Sequence, residues 1–284
     1  MRILTFDIEE WFHILDNDST KSNKEWANFE SRIHSNMDKI MGLLEATNQK
    51  ATFFCLGWIA RKYPDVIRRI DQLGYEIGTH SDMHQLVYQQ SLPEFEEDLK
   101  RSIYSLEDIT GKKITSYRAP GFSLKENDQE VFNILAKYGI ESDSSIFPAA
   151  RAHGGFPSFG ISEPCIVDFK GISLKEFPIN LRYLAGKKVP FIFSGGGYFR
   201  LLPYQLLDTY FKNDEYIMTY FHPRDFDPDQ PMIKDLSLVR KFKSYYGLGG
   251  CLHKLKRLLE SHQFTDMKSA TEKIDWANVK IKKF

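Results

Sequence analysis

The sequence predicts an α/β protein in which helices cover a mainly parallel β-sheet. Short apolar segments rich in β-branched and aromatic residues alternate with segments of helical periodicity along most of the chain. Several of the short apolar segments end in a reactive polar residue, namely Asp7, His80, Arg118, Asp143 and His222. The carboxyl ends of parallel strands meet at one mouth in a closed barrel and along a crevice in an open sheet. The pattern therefore predicts one shared site in either architecture.

The bulk composition is typical of a globular protein with a sizeable core. The chain has 284 residues, of which 42% are hydrophobic and 27% charged, and we expect a single domain spanning residues 1–284. Lysine and arginine together number 38, as do aspartate and glutamate. A chain with no net charge has no general attraction for nucleic acid, so we do not expect a nucleic-acid partner.

The number of cysteines and the hydropathy of the chain indicate the cellular compartment in which the protein is expected. The three cysteines, Cys55, Cys165 and Cys251, form no CxxC pair, and an odd number argues against a full disulfide framework. Cys55 lies in an apolar run and is predicted to be a core residue. No stretch approaches the length of a membrane span, and the first residues lack the apolar length of a signal peptide. We therefore expect a cytoplasmic protein with no transmembrane segment.

The first half of the chain supplies clear element boundaries. Residues 2–6 are an apolar strand that ends in acid, and a polar loop follows to residue 28. Helical spacing of apolar residues begins at Ile33, and a second helix begins with Pro64 in its first turn and ends before Gly74. The predicted strands here are residues 2–6, 51–56, 75–79 and 114–117, and the predicted helices are residues 33–47, 63–73 and 92–110.

The second half continues the alternation with shorter segments. A helix is predicted to end at Gly139, and a loop of three glycines starting at Gly195 precedes another helix. Leucines at helical spacing, from Leu252 to Leu259, mark the last long helix. The predicted strands are residues 140–142, 165–169, 174–177 and 216–221, and the predicted helices are residues 131–138 and 203–211.

His80 and His84 suggest a metal site. They are four residues apart directly after the third predicted strand, a spacing that puts both imidazoles on one side of a helical turn. A divalent cation also favours a carboxylate, and Asp7, Glu9 and Glu10 follow the first strand. The alternative is that the two histidines are polar loop residues without a metal.

Five motifs in chain order resemble those of the polysaccharide deacetylases, the NodB-type carbohydrate esterases of family 4. They are Thr5-Phe6-Asp7, His80-Ser81-Asp82-Met83-His84, Arg118-Ala119-Pro120-Gly121-Phe122, Asp143-Ser144-Ser145 and Phe221-His222-Pro223. The segments Asp7–Phe12, Gly195–Pro203 and His222–Pro231 further resemble the bacterial subgroup associated with exopolysaccharide and surface-glycan biosynthesis. The resemblance implies a distorted, TIM-like (β/α) barrel of seven or eight strands.

The resemblance also implies a metal-dependent hydrolase that removes an N-acetyl group from an amino sugar. His80, His84 and a carboxylate would hold a divalent ion, expected to be zinc with cobalt or nickel as alternatives. Many family members carry two adjacent aspartates at the first motif, whereas Ile8 follows Asp7 here. In an extended strand Glu9 points to the same side as Asp7, so Glu9 is the favoured ligand; a turn after Asp7 would favour Glu10 instead.

By the same resemblance, Asp7 is the general base and His222 the general acid that protonates the departing amine. Arg118 would pair with Asp7 and keep it ionised, and Asp143 would raise the pKa of His222. A backbone N–H near Gly121 or Phe122 is expected to help bind the oxyanion. The side chains expected to line the sugar cleft are those of Trp11, Phe122, Tyr198 and Arg200.

The identity of the substrate is left open by these residues. The expected substrate is an N-acetylated hexosamine in a glycan or in a lipid-linked or nucleotide-linked precursor. The same site would suit a formyl amide, an acetyl ester or a cyclic imide, because small acyl groups differ by little binding energy. A non-catalytic glycan-binding barrel is the alternative from a different class, and the altered acidic motif at Glu9 and Glu10 is the feature that favours it.

Overall fold

The computed structural model describes residues 1–15, 17–20, 22–151, 154–183 and 190–284. The strands are β1 Arg2–Ile3, β2 Thr5–Ile8, β3 Thr52–Cys55, β4 Glu76–Thr79, β5 Ser116–Tyr117, β6 Ser142–Asp143, β7 Cys165–Phe169, β8 Ile172–Glu176, β9 Arg182–Tyr183, β10 Pro190–Phe191, β11 Ile217–Met218 and β12 Lys280–Lys283. The helices are α1 Asn23–Trp26, α2 Ile33–Thr47, α3 Gly57–Lys62, α4 Pro64–Gln72, α5 Leu92–Thr110, α6 Val131–Lys137, α7 Gly196–Leu201, α8 Tyr204–Asn213, α9 Leu238–Tyr245, α10 Leu248–Ser261 and α11 Met267–Lys273.

The chain divides into two compact units, each built from two stretches of sequence. The first unit contains Met1–Ala51 and Ile192–Asp266, and the second contains Thr52–Phe191 and Met267–Phe284. The expectation of a single domain over residues 1–284 stays a prediction.

In the first unit, the amino-terminal strands meet the chain that leads to His222. Strand β1 pairs in parallel with β11, and Phe6 of β2 forms an isolated parallel bridge with Phe221. The N–H of Asp7 donates to the carbonyl of Phe221 over 2.8 Å. This pairing sets the residues after β2 beside His222. Helix α10 packs against α2, α7 and α8 and covers this part of the unit.

The second unit is built on a mostly parallel sheet. Its strands have the order β12-β7-β8-β6-β5-β4-β3, and only β7 and β8 run antiparallel to each other. Helices α3 and α4 pack against α5. The apolar side chains of these strands are buried, as expected for strands with helices on their faces. An α/β fold with a mainly parallel sheet is therefore confirmed.

The structure differs from the sequence prediction in two respects. One is the closure of the strands into a barrel, and the other is the bounds of several helices and strands. The strands that the structure describes pair in orders with free ends, so they do not close into a barrel. The strand expected over residues 216–221 is regular only in β11, and Tyr220 and Phe221 pair through isolated bridges. Helices α3, α9 and α11 and strands β9, β10 and β12 were not predicted.

Several boundaries follow the predicted capping signals. Helix α2 ends at Asn48, which adopts a left-handed conformation with φ of 50°. Helix α5 begins with a capping box between Ser91 and Glu94 and ends at Gly111, where φ is 66°. All three cysteines are free and buried, as predicted for Cys55. None of the helices described here has the length and apolar character that crossing a membrane requires.

Candidate active site

The three acidic residues after β2 have different surroundings. The carboxylate of Glu10 accepts hydrogen bonds from the N–H groups of Arg32 and Ile33 at 3.0 and 3.2 Å and from the Ser31 hydroxyl at 2.5 Å. These groups stand at the amino-terminal end of α2, where unpaired N–H groups favour an anion. Glu10 therefore stabilises the start of α2, which corrects the expectation that it could serve as a metal ligand.

Glu9 and Asp7 point to the imidazole of His222. His222 Nε2 lies 3.1 Å from Glu9 Oε1 and 3.9 Å from Asp7 Oδ2. Both carboxylates are buried, with Asp7 2% and Glu9 5% exposed. In the first unit, the extended chain after Asp7 thus puts Asp7 and Glu9 on the same side, which is the arrangement expected from strand geometry.

Asp225 holds the other nitrogen of His222. Its Oδ2 lies 3.3 Å from His222 Nδ1 and accepts the backbone N–H of His222 over 3.0 Å. Both residues belong to the 3₁₀ turn Pro223–Phe226 and its cap, so the contact is local in sequence. Asp225 is therefore a partner of His222 that the sequence did not predict, and the predicted pairing of Asp143 with His222 stays a prediction.

The electrostatics of this cluster favour a charged His222. Burial lowers its pKa, but the hydrogen bond to Asp225 and the charges of Glu9, Asp225 and Asp7 outweigh burial and raise the pKa to about 9. Burial raises the pKa of Glu9 to about 8, with His222 opposing the rise. A positive charge beside Glu9 would therefore be needed to keep it ionised at neutral pH.

Arg200 is an internal ion-pair partner of Asp225. Its guanidinium donates to the Asp225 carboxylate, and both side chains are only 4% exposed. It also donates to the backbone carbonyls of Tyr246 at 3.0 Å and Lys243 at 2.6 Å. Burial raises the pKa of Asp225, whereas the charge of Arg200 and the hydrogen bond with His222 lower it. The lowering effects are larger, so the pKa of Asp225 is well below its ordinary value. Arg200 thus positions Asp225 and does not line a sugar cleft.

In the second unit, His80 and His84 lie on a loop, which corrects the predicted helical turn. Ser81 and His84 have positive φ values of 72° and 54°, a conformation that non-glycine residues rarely adopt. The ring centroids of the two histidines are 5.4 Å apart. His80 Nδ1 lies 2.7 Å from the Arg118 carbonyl, which can only accept, so Nδ1 carries the proton and Nε2 is the nitrogen left to bind a metal.

Four contacts clamp the loop between the two histidines. The N–H groups of Gly57 and Trp58 donate to the carbonyls of Ser81 and Asp82 at 3.0 and 3.1 Å. The Asp98 carboxylate of α5 accepts the N–H groups of Asp82 and Met83 at 2.8 and 3.0 Å. A Cβ on Gly57 would lie 2.2 Å from Asp82 Oδ1, so glycine is required there. The loop is therefore held by the start of α3 and by α5.

Arg118 is fully buried. Its guanidinium donates to the Ser144 carbonyl at 3.3 Å and to the Ser144 hydroxyl at 3.0 Å, and it lies 4.3 Å from the centre of the Phe54 ring. A buried guanidinium is a suitable counter-charge for a buried carboxylate. The predicted pairing of Arg118 with Asp7 stays a prediction.

Asp143 is part of a buried carboxyl pair. It is opposite Glu176 in the parallel register of β6 and β8, and both side chains are fully buried. Asp143 accepts the Ser145 hydroxyl at 2.5 Å, and Glu176 accepts the Ile146 N–H at 3.2 Å. Burial raises the pKa of both groups, and the hydrogen bond between them lowers that of Asp143 and raises that of Glu176. The pair therefore favours retaining a proton.

Glu9 in the first unit and His80 and His84 in the second are each buried. All three are residue types that bind divalent cations, and their joint binding of one ion stays a prediction. One carboxylate oxygen and two imidazole nitrogens suit zinc, which takes three protein ligands in catalytic sites and leaves a fourth position open. The hydrogen bond of His80 Nδ1 is of the kind that orients metal-bound histidines.

Two family models match the chain. The polysaccharide deacetylase model matches residues 17–142, a range that contains His80, His84 and Arg118, and a domain of unknown function matches residues 144–272. The resemblance to the polysaccharide deacetylases is therefore confirmed over residues 17–142.

Curated deacetylases match this chain over short stretches. Chitin deacetylase 1 of Saccharomyces cerevisiae is 32% identical over 98 residues, which are 34% of this chain and 32% of that protein. A peptidoglycan-N-acetylglucosamine deacetylase of Bacillus cereus is 32% identical over 89 residues, 31% of this chain and 32% of that protein. The chain thus spans about a third of the length of the curated relatives it matches.

One solved structure has a fold similar to this one over nearly the whole length of the chain. A crystal structure assigned as a polysaccharide deacetylase from Mycobacterium smegmatis matches with a TM-score of 0.64 at 16% identity. The match covers 98% of this chain and 90% of the other. The similarity concerns the fold alone.

The residues that the sequence assigned to the sugar cleft differ in how exposed their side chains are. Trp11 is 3% exposed, donates from its indole to the Glu30 carbonyl at 2.9 Å and packs against Phe29, so it belongs to the core. Phe122 is also 3% exposed, and its N–H donates to the Ala119 carbonyl, which corrects its expected role as an oxyanion donor. Tyr198 is 49% exposed.

Gly121 occupies the left-handed region with φ of 61°, and it is partly exposed within the turn Pro120–Phe122.

The functional residues that sequence reasoning missed are Asp225, Asp98 and Glu176. Asp225 had a usable signal, since it is three residues after His222, the spacing at which a 3₁₀ turn returns a side chain to its cap. No local sequence pattern indicated a role for Asp98 or Glu176.

Proposed function

We propose that this protein is a metal-dependent hydrolase that removes an N-acetyl group from an amino sugar of a glycan. The observation that carries the proposal is the pair of buried imidazoles on the clamped loop, His80 and His84, whose ring centroids are 5.4 Å apart, with Nε2 of His80 left to bind a metal. In the first unit, the Glu9 carboxylate lies beside the two other residues that amide hydrolysis needs, a second carboxylate at Asp7 and a protonated imidazole at His222.

Glu9, His80 and His84 are the proposed ligands of a divalent ion, with zinc expected and cobalt or nickel as alternatives. When bound, such an ion polarises the amide carbonyl and lowers the pKa of water. Other parts of the chain orient these ligands. The Arg118 carbonyl fixes the tautomer of His80, and the clamped loop holds His84 in a backbone conformation that it would not adopt freely.

We assign the proton transfers to Asp7 and His222. Asp7 is 2% exposed and would accept the proton of the attacking water, with Arg118 keeping it ionised. His222 is protonated at neutral pH, because its pKa is raised to about 9, and would donate from Nε2 to the departing amine. Asp225 holds Nδ1 and so aims Nε2 toward Asp7 and Glu9.

The substrate proposal rests on what the relatives are named for. They are deacetylases of chitin and of N-acetylglucosamine in peptidoglycan. We propose an N-acetylated hexosamine in a polysaccharide or in a lipid-linked or nucleotide-linked precursor, consumed in the biosynthesis of an exopolysaccharide. Tyr198 and Gly121 are the proposed sugar contacts, because they are exposed at the surface. A cytoplasmic location stays a prediction.

The test combines a metal measurement with an activity measurement. The full chain is stripped with chelator and reloaded with zinc, cobalt or nickel; bound metal is then counted, and acetate release from N-acetylated chito-oligomers is followed. We expect one metal per chain and acetate release, with both lost in His84→Ala. Glu126→Gln, an exposed carboxylate of another turn, is the matched control and should behave as wild type.

Three results would redirect the proposal. Bound metal without acetate release from any N-acetyl sugar would overturn N-deacetylation, and release of formate or of ester acetate would identify the other acyl group. Absence of metal together with unchanged sugar binding in Asp7→Ala would instead indicate a non-catalytic glycan-binding protein.

A further inference from the structure

Helix α9 presents an exposed apolar face. Leu238 is 84% exposed, Val239 64%, Phe242 54% and Tyr246, the residue that ends the helix, 49%. No residue of α9 is buried. These four residues follow one another within nine positions, and Leu238 is the most exposed of the large apolar residues that the structure describes. A cluster of this kind marks an interaction site.

The four residues are on one side of the helix. At 100° per residue, Leu238, Phe242, Tyr246 and Val239 fall within an arc of about 100°. Lys241 lies on one flank of that arc. Lys243 lies on the other. The α9 face, as we call these four apolar residues with their two flanking lysines, contains no acidic residue.

The opposite side of α9 is fixed to the protein. Arg240 donates to the carbonyl of Leu15, and the Ser237 hydroxyl accepts the N–H of Arg240 at 3.4 Å as the amino-terminal cap. At the other end, Arg200 donates to the carbonyls of Lys243, Ser244 and Tyr246. The α9 face is thus held outward by bonds at both ends of the helix.

We propose that the α9 face binds the surface of an anionic lipid membrane, with the helix lying in the interface. An amphipathic helix with leucine and phenylalanine on one side and lysines along its edges fits this mode of binding. The apolar side chains would enter the boundary between headgroups and acyl chains, while the ammonium groups of Lys241 and Lys243 would contact lipid phosphates.

The charges of the face disfavour a second copy of the chain as the occupant. Two α9 faces packed together would place lysines of both copies around one apolar patch with no carboxylate to offset them. An anionic lipid surface supplies the missing negative charge, and it also accepts apolar side chains. Phe242 and Tyr246 have ring centroids 4.8 Å apart and form a preassembled aromatic pair for that boundary.

The α9 face is connected to the His222 cluster within the first unit. Arg200 binds the carboxyl-terminal carbonyls of α9 with one part of its guanidinium and Asp225 with another, and Asp225 holds His222. Docking through α9 would therefore fix His222 at a set distance from the lipid surface. This inference concerns where the protein works, and it does not depend on which bond the protein hydrolyses.

The test is co-sedimentation of the full chain with extruded vesicles. We expect binding to vesicles of phosphatidylglycerol with phosphatidylcholine, much weaker binding to phosphatidylcholine alone, and a decrease with added salt. Leu238→Ser with Val239→Ser should weaken the partition coefficient roughly tenfold or more. Lys241→Glu with Lys243→Glu should remove the preference for anionic vesicles. Tyr104→Ser, a change at a 55% exposed tyrosine of α5, is the matched control and should bind as wild type.

Circular dichroism of each variant establishes that it is folded. Vesicle binding by Leu238→Ser/Val239→Ser equal to that of wild type would overturn the inference, as would no binding of wild type to anionic vesicles. A concentration-dependent dimer in light scattering, lost in the same variant, would assign the face to self-association instead. Acetate release from a soluble oligomer should be unchanged in this variant, so failure of the membrane inference and failure of the deacetylase proposal are distinguishable.

Discussion

Asp225 contacts His222 twice, with Oδ2 3.3 Å from Nδ1 and 3.0 Å from the backbone nitrogen of the same residue. One carboxylate oxygen therefore fixes both the ring and the backbone of His222. The other oxygen of Asp225 is bound by Arg200, so the carboxylate has no freedom to turn away. The orientation of His222 thus depends on a residue three positions further along the chain.

Replacing Asp225 with asparagine should move the alkaline limb of the pH profile. The carboxylate charge helps raise the pKa of His222 to about 9, and its loss should lower that pKa by about 1–3 units. A general acid must be protonated, so activity of Asp225→Asn should fall at lower pH than activity of wild type. The measurement is kcat/KM against pH, with the His222 titration followed by NMR.

Asp229→Asn is the control for that experiment, because Asp229 is exposed and lies three residues beyond the turn. It should leave the alkaline limb in place. If Asp143→Asn shifted the limb and Asp225→Asn did not, the assignment of Asp225 as the partner of His222 would be wrong.

Removing the guanidinium of Arg200 should cost more stability than removing a surface cation. Arg200→Ala leaves the buried carboxylate of Asp225 without a counter-charge, and loss of one partner of a buried pair costs about 3–5 kcal/mol. Lys256→Ala breaks an exposed pair with Glu260 and should cost less than about 0.5 kcal/mol. Urea unfolding of both variants measures the difference, and equal costs would contradict a structural role for the Arg200–Asp225 pair.

The metal-free protein should lose stability as the pH rises from about 6.5 to about 9. The folded-state pKa of His222 is raised from 6.5 to about 9, so its stabilising contribution is complete below pH 6.5 and is lost as the pH passes 9. At about 1.4 kcal/mol per pKa unit, the difference corresponds to about 3 kcal/mol. The raised pKa of Glu9 acts in the same direction from pH 4.5 to about 8.

The check is the free energy of unfolding of chelator-treated protein at several pH values. His222→Gln should flatten the dependence in the upper part of this range, and the remaining slope then reports Glu9. A stability that rises with pH there would show that His222 is neutral in the folded protein.

The sequence correctly located candidate residues at strand ends. Asp7 lies in β2, and Glu9 and His80 directly follow β2 and β4. Period-two geometry put Asp7 and Glu9 on the same side, in agreement with their contacts to His222, and the choice of Glu9 as a metal ligand stays a prediction. The Glu10 carboxylate could not be assigned to α2 from sequence, because the contact joins residues more than twenty positions apart. The helical turn expected at His80–His84 failed because tertiary hydrogen bonds hold Ser81 and His84 at positive φ.

Aromatic and charged residues of the supposed sugar cleft were the least predictable. Trp11 and Arg200 have the chemistry of sugar contacts, but burial decides their role, and burial depends on packing from distant segments. The short strands of the second unit were likewise hard to bound, since β5 and β6 are two residues long and carry little periodic signal. Tertiary pairing sets their register.

Gly195 should tolerate no side chain, because its neighbours leave no room. A Cβ at this position would lie 2.1 Å from the carbonyl oxygen of Tyr220, a backbone atom that cannot move aside locally. Gly195→Ala should therefore destabilise the protein by more than about 1 kcal/mol. Gly42→Ala, in the exposed middle of α2 with nothing within 4 Å, should instead stabilise by about 0.5–1 kcal/mol. Thermal unfolding of the two variants should shift in opposite directions.

Asp98→Ala should weaken metal binding without removing a ligand. The Asp98 carboxylate accepts two backbone N–H groups of the loop that carries His80 and His84, and burial raises its pKa to about 6, so above that pH it accepts them as an anion. Without it the strained loop can relax, and the imidazoles lose their fixed separation. Groups that orient metal ligands are worth about 10–100-fold in affinity. Zinc competition titration measures the loss, and Glu97→Ala, a change at its exposed neighbour on α5, should leave zinc affinity unchanged. Equal affinities of Asp98→Ala and wild type would mean that α3 alone is sufficient to hold the loop.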